Sequence, residues 1–503
     1  MNPPVAPLDN ETLGHLNYLH SILTQPPGQW EGFYSAQSPT MNFALRYQLA
    51  FATYALAVMS QRTPAYRAPY TEAMQAAIER MLDVAVWGYW RTAEPASGSA
   101  AGSVSSSGHV AVLLSPHQRV PAGPPSDPIV RDNLQYSGHL STMLGLYEKV
   151  TGDTRYDRPF TLGDTGSGVS YTYTHTEVAE RIYKQMRDNP FGGVCCEPGM
   201  AYVPCNNYAL ASNTLHDTLH GTDYSEVNGG WLRTVRRKMV LHGPAVRGVF
   251  GASYMKDLHV ATPVAFNFTD AWGLAFLLPF DRALVKKLYS KFRRKVERVG
   301  AEWAYVGSSS VSEKMEISDV PINTGFGMIL ARGMGDARLA DAFHRYATTH
   351  FDAGWEGTRY FYSGAPRTLH ATALYTLAAS IEPGGEGFTR LFRDTPDPAA
   401  SSYPYLERVL DPSGRVGVCQ AEYDAAERTL QIGLRQVGDP SVLKQSAPVA
   451  VTLVIRNAGS HRQIEVGGRA LPDADYAFDG EGALRLTVSV EPLYVLACSF
   501  AGG

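Results

Sequence analysis

One recurring unit constrains this chain most: an apolar helix, a tight polar turn, and a second helix that returns. The first runs Leu45 to Met59, the turn Ser60-Gln61-Arg62-Thr63-Pro64, then Pro69 to Val84. The second is Leu134 to Val150, the turn from Thr151 to Thr154, and a return helix near Glu177 to Arg187. The third is Asn206 to Leu219, a turn from His220 to Asp223, then Glu226 to Met239. The fourth is Asp270 to Leu278, then Ala283 to Val299, and the fifth is Thr324 to Arg332, then Arg338 to Ala347. A further helix covers Arg367 to Ile381. Several turns set Gly just after one helix and Asp or Thr before the next, which is C-cap and N-cap chemistry. Short connections make antiparallel neighbours. About six such pairs predict a mainly α chain, an (α/α)6 toroid or barrel whose inner helices surround a cavity. An open helical solenoid is the alternative.

Near Pro396 the pattern changes to short alternating or β-branched runs. These are Arg415 to Tyr423, Thr429 to Gln436, Val449 to Arg456, Arg462 to Val466, Ala483 to Val490 and Leu493 to Phe500. Turn signals at Asn457-Ala458-Gly459, Gly467-Gly468 and Asp479 to Gly482 separate them. A small C-terminal antiparallel β-sandwich is expected. The boundaries are 1–395 for the helical domain and 396–503 for the β-domain, whose expected role is support. Ala96 to Gly108 is low in complexity and reads as a surface loop or a lid.

Bulk composition narrows the function. Net charge is −4 with mixed signs, and no basic cluster with interleaved aromatics occurs, so nucleic acid is not an expected partner. No apolar run is long enough to cross a membrane. Met1 to Asn10 lacks a basic start and an apolar run, so no signal peptide is read there. Five unevenly spaced cysteines do not make a disulfide framework. Reduced thiols in a cytoplasmic setting are the expectation.

The chemistry concentrates in Cys196-Glu197-Pro198 and Cys205-Asn206. Pro198, Gly199 and Pro204 keep the stretch between the thiols out of a helix, and Cys205 opens the next one. A helix N-terminus stabilises a thiolate. Two thiols, or a thiol with Glu197, can act as acid and base on either side of a substrate. Equally, each Cys can be a small buried residue. No C-x-x-C or paired-His motif accompanies them, so zinc is not expected there. His139 shares a helix face with Tyr136, Met143 and Tyr147, which reads as core packing unless a partner perturbs it. Tyr47, Phe51, Tyr54 and Val58 form a stripe on the first long helix. Trp30, Trp272 and Trp355 are candidate apolar walls, with Glu31, Asp270 and Glu356 near them in sequence. No spacing singles out a carboxylate pair of the glycosidase kind.

Several of these segments resemble the linalool dehydratase-isomerase family. The clearest is Asn189 to Pro198 continuing through Val203-Pro204-Cys205-Asn206, followed by His216 to Tyr224. Tyr136-Ser137-Gly138-His139-Leu140, Arg46 to Phe51 and, more weakly, Asn17-Tyr18-Leu19-His20 extend it over roughly residues 13 to 380. The resemblance implies an (α/α)6 barrel with no metal or cofactor. It also implies acid–base dehydration or allylic isomerisation of an isoprenoid alkenol, a small apolar partner. Cys196, Cys205, His139 and Tyr47 match the family's catalytic residues. His20 stands where the family has an aspartate, and Phe268 where it has a pocket tyrosine; a tyrosine near Pro26 is missing. Glu197, Asn206, Tyr136, Phe268, Trp272, Trp30 and Phe51 are the candidate substrate-binding residues. Ring assemblies in the family make a homo-oligomer an option. A natural-product cyclase or pericyclase using the same enclosure, a carbohydrate-active enzyme of toroid plus sandwich type, and a non-catalytic binder are the competing readings.

Overall fold

Helices that are apolar on every side must sit inside other helices, and this chain has a set of them. In Thr368–Ser380 every residue except Thr368 and Ala379 is buried. Leu134–Thr151 buries each position from Leu134 to Tyr147. Others carry one apolar stripe. His175–Asp188 buries Val178, Ala179, Ile182 and Met186, and Arg282–Arg293 buries Val285, Leu288 and Phe292, at helical spacing. The first kind lies within and the second kind covers it.

The computed structural model of the chain describes all residues except 1–5, 35–42, 91–124, 165–167, 243–247, 301, 308–319, 460, 473–475, 493–494 and 503. Ala96 to Gly108 therefore falls outside the described residues. The major helices are α1 (Asn10–Leu23), α2 (Phe43–Ser60), α3 (Ala68–Met81), α4 (Leu134–Thr151), α5 (His175–Asp188) and α6 (Val203–His220). They continue as α7 (Asn228–Thr234), α8 (Asn267–Leu277), α9 (Arg282–Arg293), α10 (Val320–Gly333), α11 (Ala337–His350), α12 (Thr368–Ser380) and α13 (Glu386–Arg393). Contacts run from α2 to α4, α6, α8, α10 and α12, and from α12 back to α2, so six helices touch in a closed cycle. Helices α3, α5, α7, α9 and α11 pack outside their partners, and α1 packs against α3 and α12. The helix pairs expected from the sequence are thus present, and α1, unread as a helix there, supplies the partner for α12.

Local chemistry sets the ends. Thr174 and Glu177 form a reciprocal capping box at the start of α5, with contacts of 2.7 and 3.2 Å. Gly152 and Gly221 close α4 and α6 in the left-handed region, at φ 72° and 69°. Two return helices are shorter than their spacing predicts. The fourth stops at Arg293, and Glu297–Val299 instead pairs as a strand with Trp303–Tyr305. The third is divided into a 3-10 turn, α7, and a π-helical turn at Val235–Met239. No helix among the described residues is long and apolar enough to cross a membrane.

After α13 the chain forms β1 (Tyr405–Leu410), β2 (Val416–Asp424), β3 (Thr429–Gln436), β4 (Val449–Arg456) and β5 (His461–Val466). Then follow β6 (Arg469–Ala470), β7 (Tyr476–Phe478), β8 (Leu484–Val490) and β9 (Leu496–Gly502). The antiparallel sheet orders are β1-β4-β8-β7 and β2-β3-β9-β5-β6. Leu484, Leu486, Val488 and Val490 alternate with exposed residues along β8. They meet Leu430, Ile432, Leu434 and Phe500 of the other sheet in a shared core. This region joins the helices where the inner ones finish: Leu406 N donates to Ala65 O (2.8 Å) and Ala65 N to Ala421 O (3.0 Å).

Candidate active site

The starts of the inner helices gather the candidate residues. Cys205 lies in the first turn of α6, and Cys196 lies on the loop before it, 1% exposed. Asn206 builds this loop. Its Oδ1 accepts from Val194 N (2.8 Å), and its Nδ2 donates to Val194 O (3.0 Å) and Tyr202 O (3.1 Å). The side chain acts like one more strand residue and ties the Cys196 loop to the helix that carries Cys205. Gly193 makes the approach feasible, because a Cβ there would sit 2.5 Å from the Trp231 ring. The expectation that Asn206 binds substrate is corrected: both ends of its amide are taken by backbone.

The two thiols are free, and they lie near enough to bear on each other's charge. Burial pushes the Cys196 thiol well above the ordinary cysteine range, and Cys205 and Glu197 beside it push it further. Cys196 is therefore a neutral S–H group, an acid in waiting and not the thiolate that a helix terminus would favour. Around the pair runs a polar chain. Arg46 donates to Tyr47 Oη (3.4 Å), Tyr47 to Gln135 Oε1 (3.2 Å), and Gln135 Nε2 to Glu197 Oε1 (2.6 Å). Arg46 is 1% exposed, with its guanidinium 4.6 Å above the Tyr47 ring and 4.3 Å above the Tyr89 ring. Burial opposes its charge, but Tyr89, Tyr47 and Glu197 outweigh burial and raise its pKa. Tyr47, Tyr89, Tyr202 and Glu197 are only half-buried, so the cluster meets solvent on that side.

His139, on α4, is fully buried. Its Nδ1 lies 2.7 Å from Tyr54 Oη, and its Nε2 has no hydrogen-bond partner among the described residues. Burial first, then Arg46 and His370, hold it well below the ordinary histidine range. Its ring is 5.5 Å from Tyr47 and 3.9 Å from Tyr208. Phe51 and Trp272 pack against the same rings: Trp272 is edge-on to Tyr47 (5.4 Å) and stacked on Phe326 (5.2 Å), and Phe51 stacks on His370 (5.1 Å).

His370 was not foreseen. It is 4% exposed on α12, neither ring nitrogen has a hydrogen-bond partner among the described residues, and its ring lies 6.4 Å from Tyr47. The signal was a single imidazole in an otherwise apolar helix. Arg46, Gln135 and Tyr202 were also missed, although the first stands beside Tyr47 in sequence.

Three further expectations are corrected. His20 is not brought to the cluster; it is half-exposed on the outer helix α1, with Nε2 3.1 Å from Glu72. Trp30 lies under the Arg80 guanidinium in a surface groove of ≈ 360 Å³ shared with Glu72 and Glu79. Tyr136 points outward, donating to Met81 O (2.8 Å) on α3. Phe268 remains a candidate: it is half-buried at the start of the inner helix α8, stacked on Phe266 (5.8 Å).

Thiols, an imidazole and a phenol are groups that can give and take protons, and here they lie together among aromatic rings. The linalool dehydratase/isomerase family model matches residues 46–368, well over half of the sequence, and the chain belongs to that family. Among solved structures it is similar to a polysaccharide lyase, at 11% identity and TM-score 0.41, over 73% of this chain and 96% of that one. It is also similar to a family 88 glycosyl hydrolase from Bacteroides vulgatus, at 10% identity and TM-score 0.40, over 76% and 100%. Likeness this distant says nothing about chemistry.

Proposed function

We propose that the protein is a cofactor-free lyase or isomerase that dehydrates or allylically isomerises an isoprenoid alkenol. The observation that carries this reading is the convergence of Tyr47, His139, Cys196 and Cys205, from three inner helices and one loop, on one aromatic-walled cluster in a member of this family. The neutral Cys196 thiol gives its proton to the leaving hydroxyl, the C–O bond breaks, and its electron pair leaves with water. The allylic cation rests against the faces of Tyr47, Phe51 and Trp272. Cys205 returns a proton to Cys196 and, as thiolate, takes one from the neighbouring carbon. Dehydration is then balanced, one proton given and one recovered. In isomerisation water adds instead at the far allylic carbon and gives its extra proton back to the Cys196 thiolate, which restores the thiol. His139 and Tyr47 orient the hydroxyl, and the low dielectric makes each contact count for more.

We read the helical cycle as an (α/α)6 toroid within residues 1–395, and residues 396–503 as a β-sandwich domain that supports it. The test is turnover of linalool and shorter alkenols by Cys196→Ala and Cys205→Ala. Loss in both variants supports the thiol mechanism. Undiminished turnover in both would overturn it in favour of a cyclase that works by shape.

A further inference from the structure

The opposite end of the same helices carries a second cluster of ligating side chains. Glu148 stands in the last turn of α4, His175 at the first position of α5, His220 at the last position of α6, and Asp157 in the 3-10 turn Arg155–Asp157. One donor atom from each lies within 4.8 Å of the other three. His220 Nε2 is 3.2 Å from Glu148 Oε2 and 3.8 Å from Asp157 Oδ1, and His175 Nδ1 is 3.8 Å from Glu148 Oε2. A tetrahedral zinc with bonds of about 2.0–2.2 Å spaces its donors by roughly 3.3–3.5 Å. The 3.2 and 3.8 Å separations lie within about half an ångström of this spacing, and the widest pair would have to close by up to about 1.5 Å on binding.

A second observation points to a ligand. His175 is 1% exposed, and neither of its ring nitrogens has a hydrogen-bond partner among the described residues. A buried imidazole left unpaired is costly. The neighbouring His216 is different: its two nitrogens meet Thr222 Oγ1 (2.9 Å) and Thr176 Oγ1 (3.1 Å). Saturated by the threonines, His216 stays outside the donor set, while His175 faces the acid and imidazole donors. Two imidazoles and two carboxylates suit zinc or a similar first-row dication; calcium and magnesium prefer oxygen alone.

We infer that Glu148, Asp157, His175 and His220 form a structural site for a divalent transition-metal ion, zinc by donor type. Four protein donors leave no position for substrate, and two carboxylates balance the dication. Such an ion pins together the end of α4, the start of α5 and the end of α6. The half-exposed Asp157 and His220 give it a way in.

The experiment uses the full chain, stripped with a chelator and titrated calorimetrically with Zn²⁺. One ion per chain and a higher unfolding temperature with zinc are expected. His220→Asn and the milder Asp157→Asn, each checked for native circular dichroism, are expected to weaken binding by more than the roughly 10–100-fold that losing an outer-shell partner costs. Substituting Co²⁺ is expected to give a visible spectrum without a thiolate charge-transfer band. Failure to take up stoichiometric zinc, unchanged affinity in both variants, or a thiolate band that places the metal on the cysteines would each overturn the assignment.

Discussion

Helix α4 runs from one chemistry to another. Near its start, Gln135 and His139 face thiols, phenols and aromatic rings; in its last turn Glu148 faces two histidines. At the first end burial dominates. It raises the Cys196 thiol and lowers His139 and His370, so the groups are neutral. At the second end burial is also present and would raise Glu148, but the contacts with His175 and His220 outweigh it and hold the carboxyl at about 2. The dipole of α4 does not account for this division, since its C-terminal end disfavours the Glu148 carboxylate that the two histidines hold charged. Burial, more than any dipole, decides the state of the Cys196 thiol.

Variants can break or sharpen this contrast. The largest effect is expected at the first end. Cys196→Ala or Cys205→Ala is expected to lower kcat/KM on an alkenol by roughly 10²–10⁴-fold, the usual contribution of an acid–base group, with little change in unfolding temperature. Asn206→Leu removes the tie to Val194 and leaves buried backbone groups unpaired; a loss of about 1–3 kcal/mol is expected in denaturant unfolding. His370 tests the pH response. Its pKa is lowered on folding by burial first and Arg367 second. Below its unfolded value of about 6.5 the unfolded chain therefore binds more protons, and stability falls as pH drops. His370→Leu is expected to flatten that slope by up to about 1.4 kcal/mol per pH unit, read from melts between pH 7 and 5. The smallest effect on turnover is expected at the second end: Glu148→Gln is expected to change kcat/KM by less than about twofold while costing about 1 kcal/mol of stability. A large fall in kcat/KM at constant stability would erase the contrast.

How much of this was legible in sequence depended on whether the signal was local. The strands Thr429–Gln436 and Val449–Arg456 coincide with their alternating runs, because period-two burial is written in consecutive residues. Hairpins such as Phe160–Asp164 with Val169–Tyr173 carry too few residues for a period to emerge. The motif around Cys196 and Cys205 singled out two thiols that lie close together in the structure. It did not separate Asn206, which holds the loop, from residues that face the rings, since an amide does not announce its partner. Tyr136 shares a helix with His139, yet three residues of turn aim it at α3. The Glu148 cluster draws on four separated segments and has no sequence spacing at all.

The Asn206 tie has one more consequence. It joins the Cys196 loop to the backbone beside Cys205, so the two thiols travel as a single rigid jaw. On the proposed mechanism, that tie would hold the spacing between proton donor and proton acceptor when the loop moves. Room for substrates of different length must then come from the other jaw, where Tyr47 and Tyr89 stack on Arg46. On the same mechanism, changing that wall is expected to alter which substrate fits while leaving the proton-transfer gap as it was.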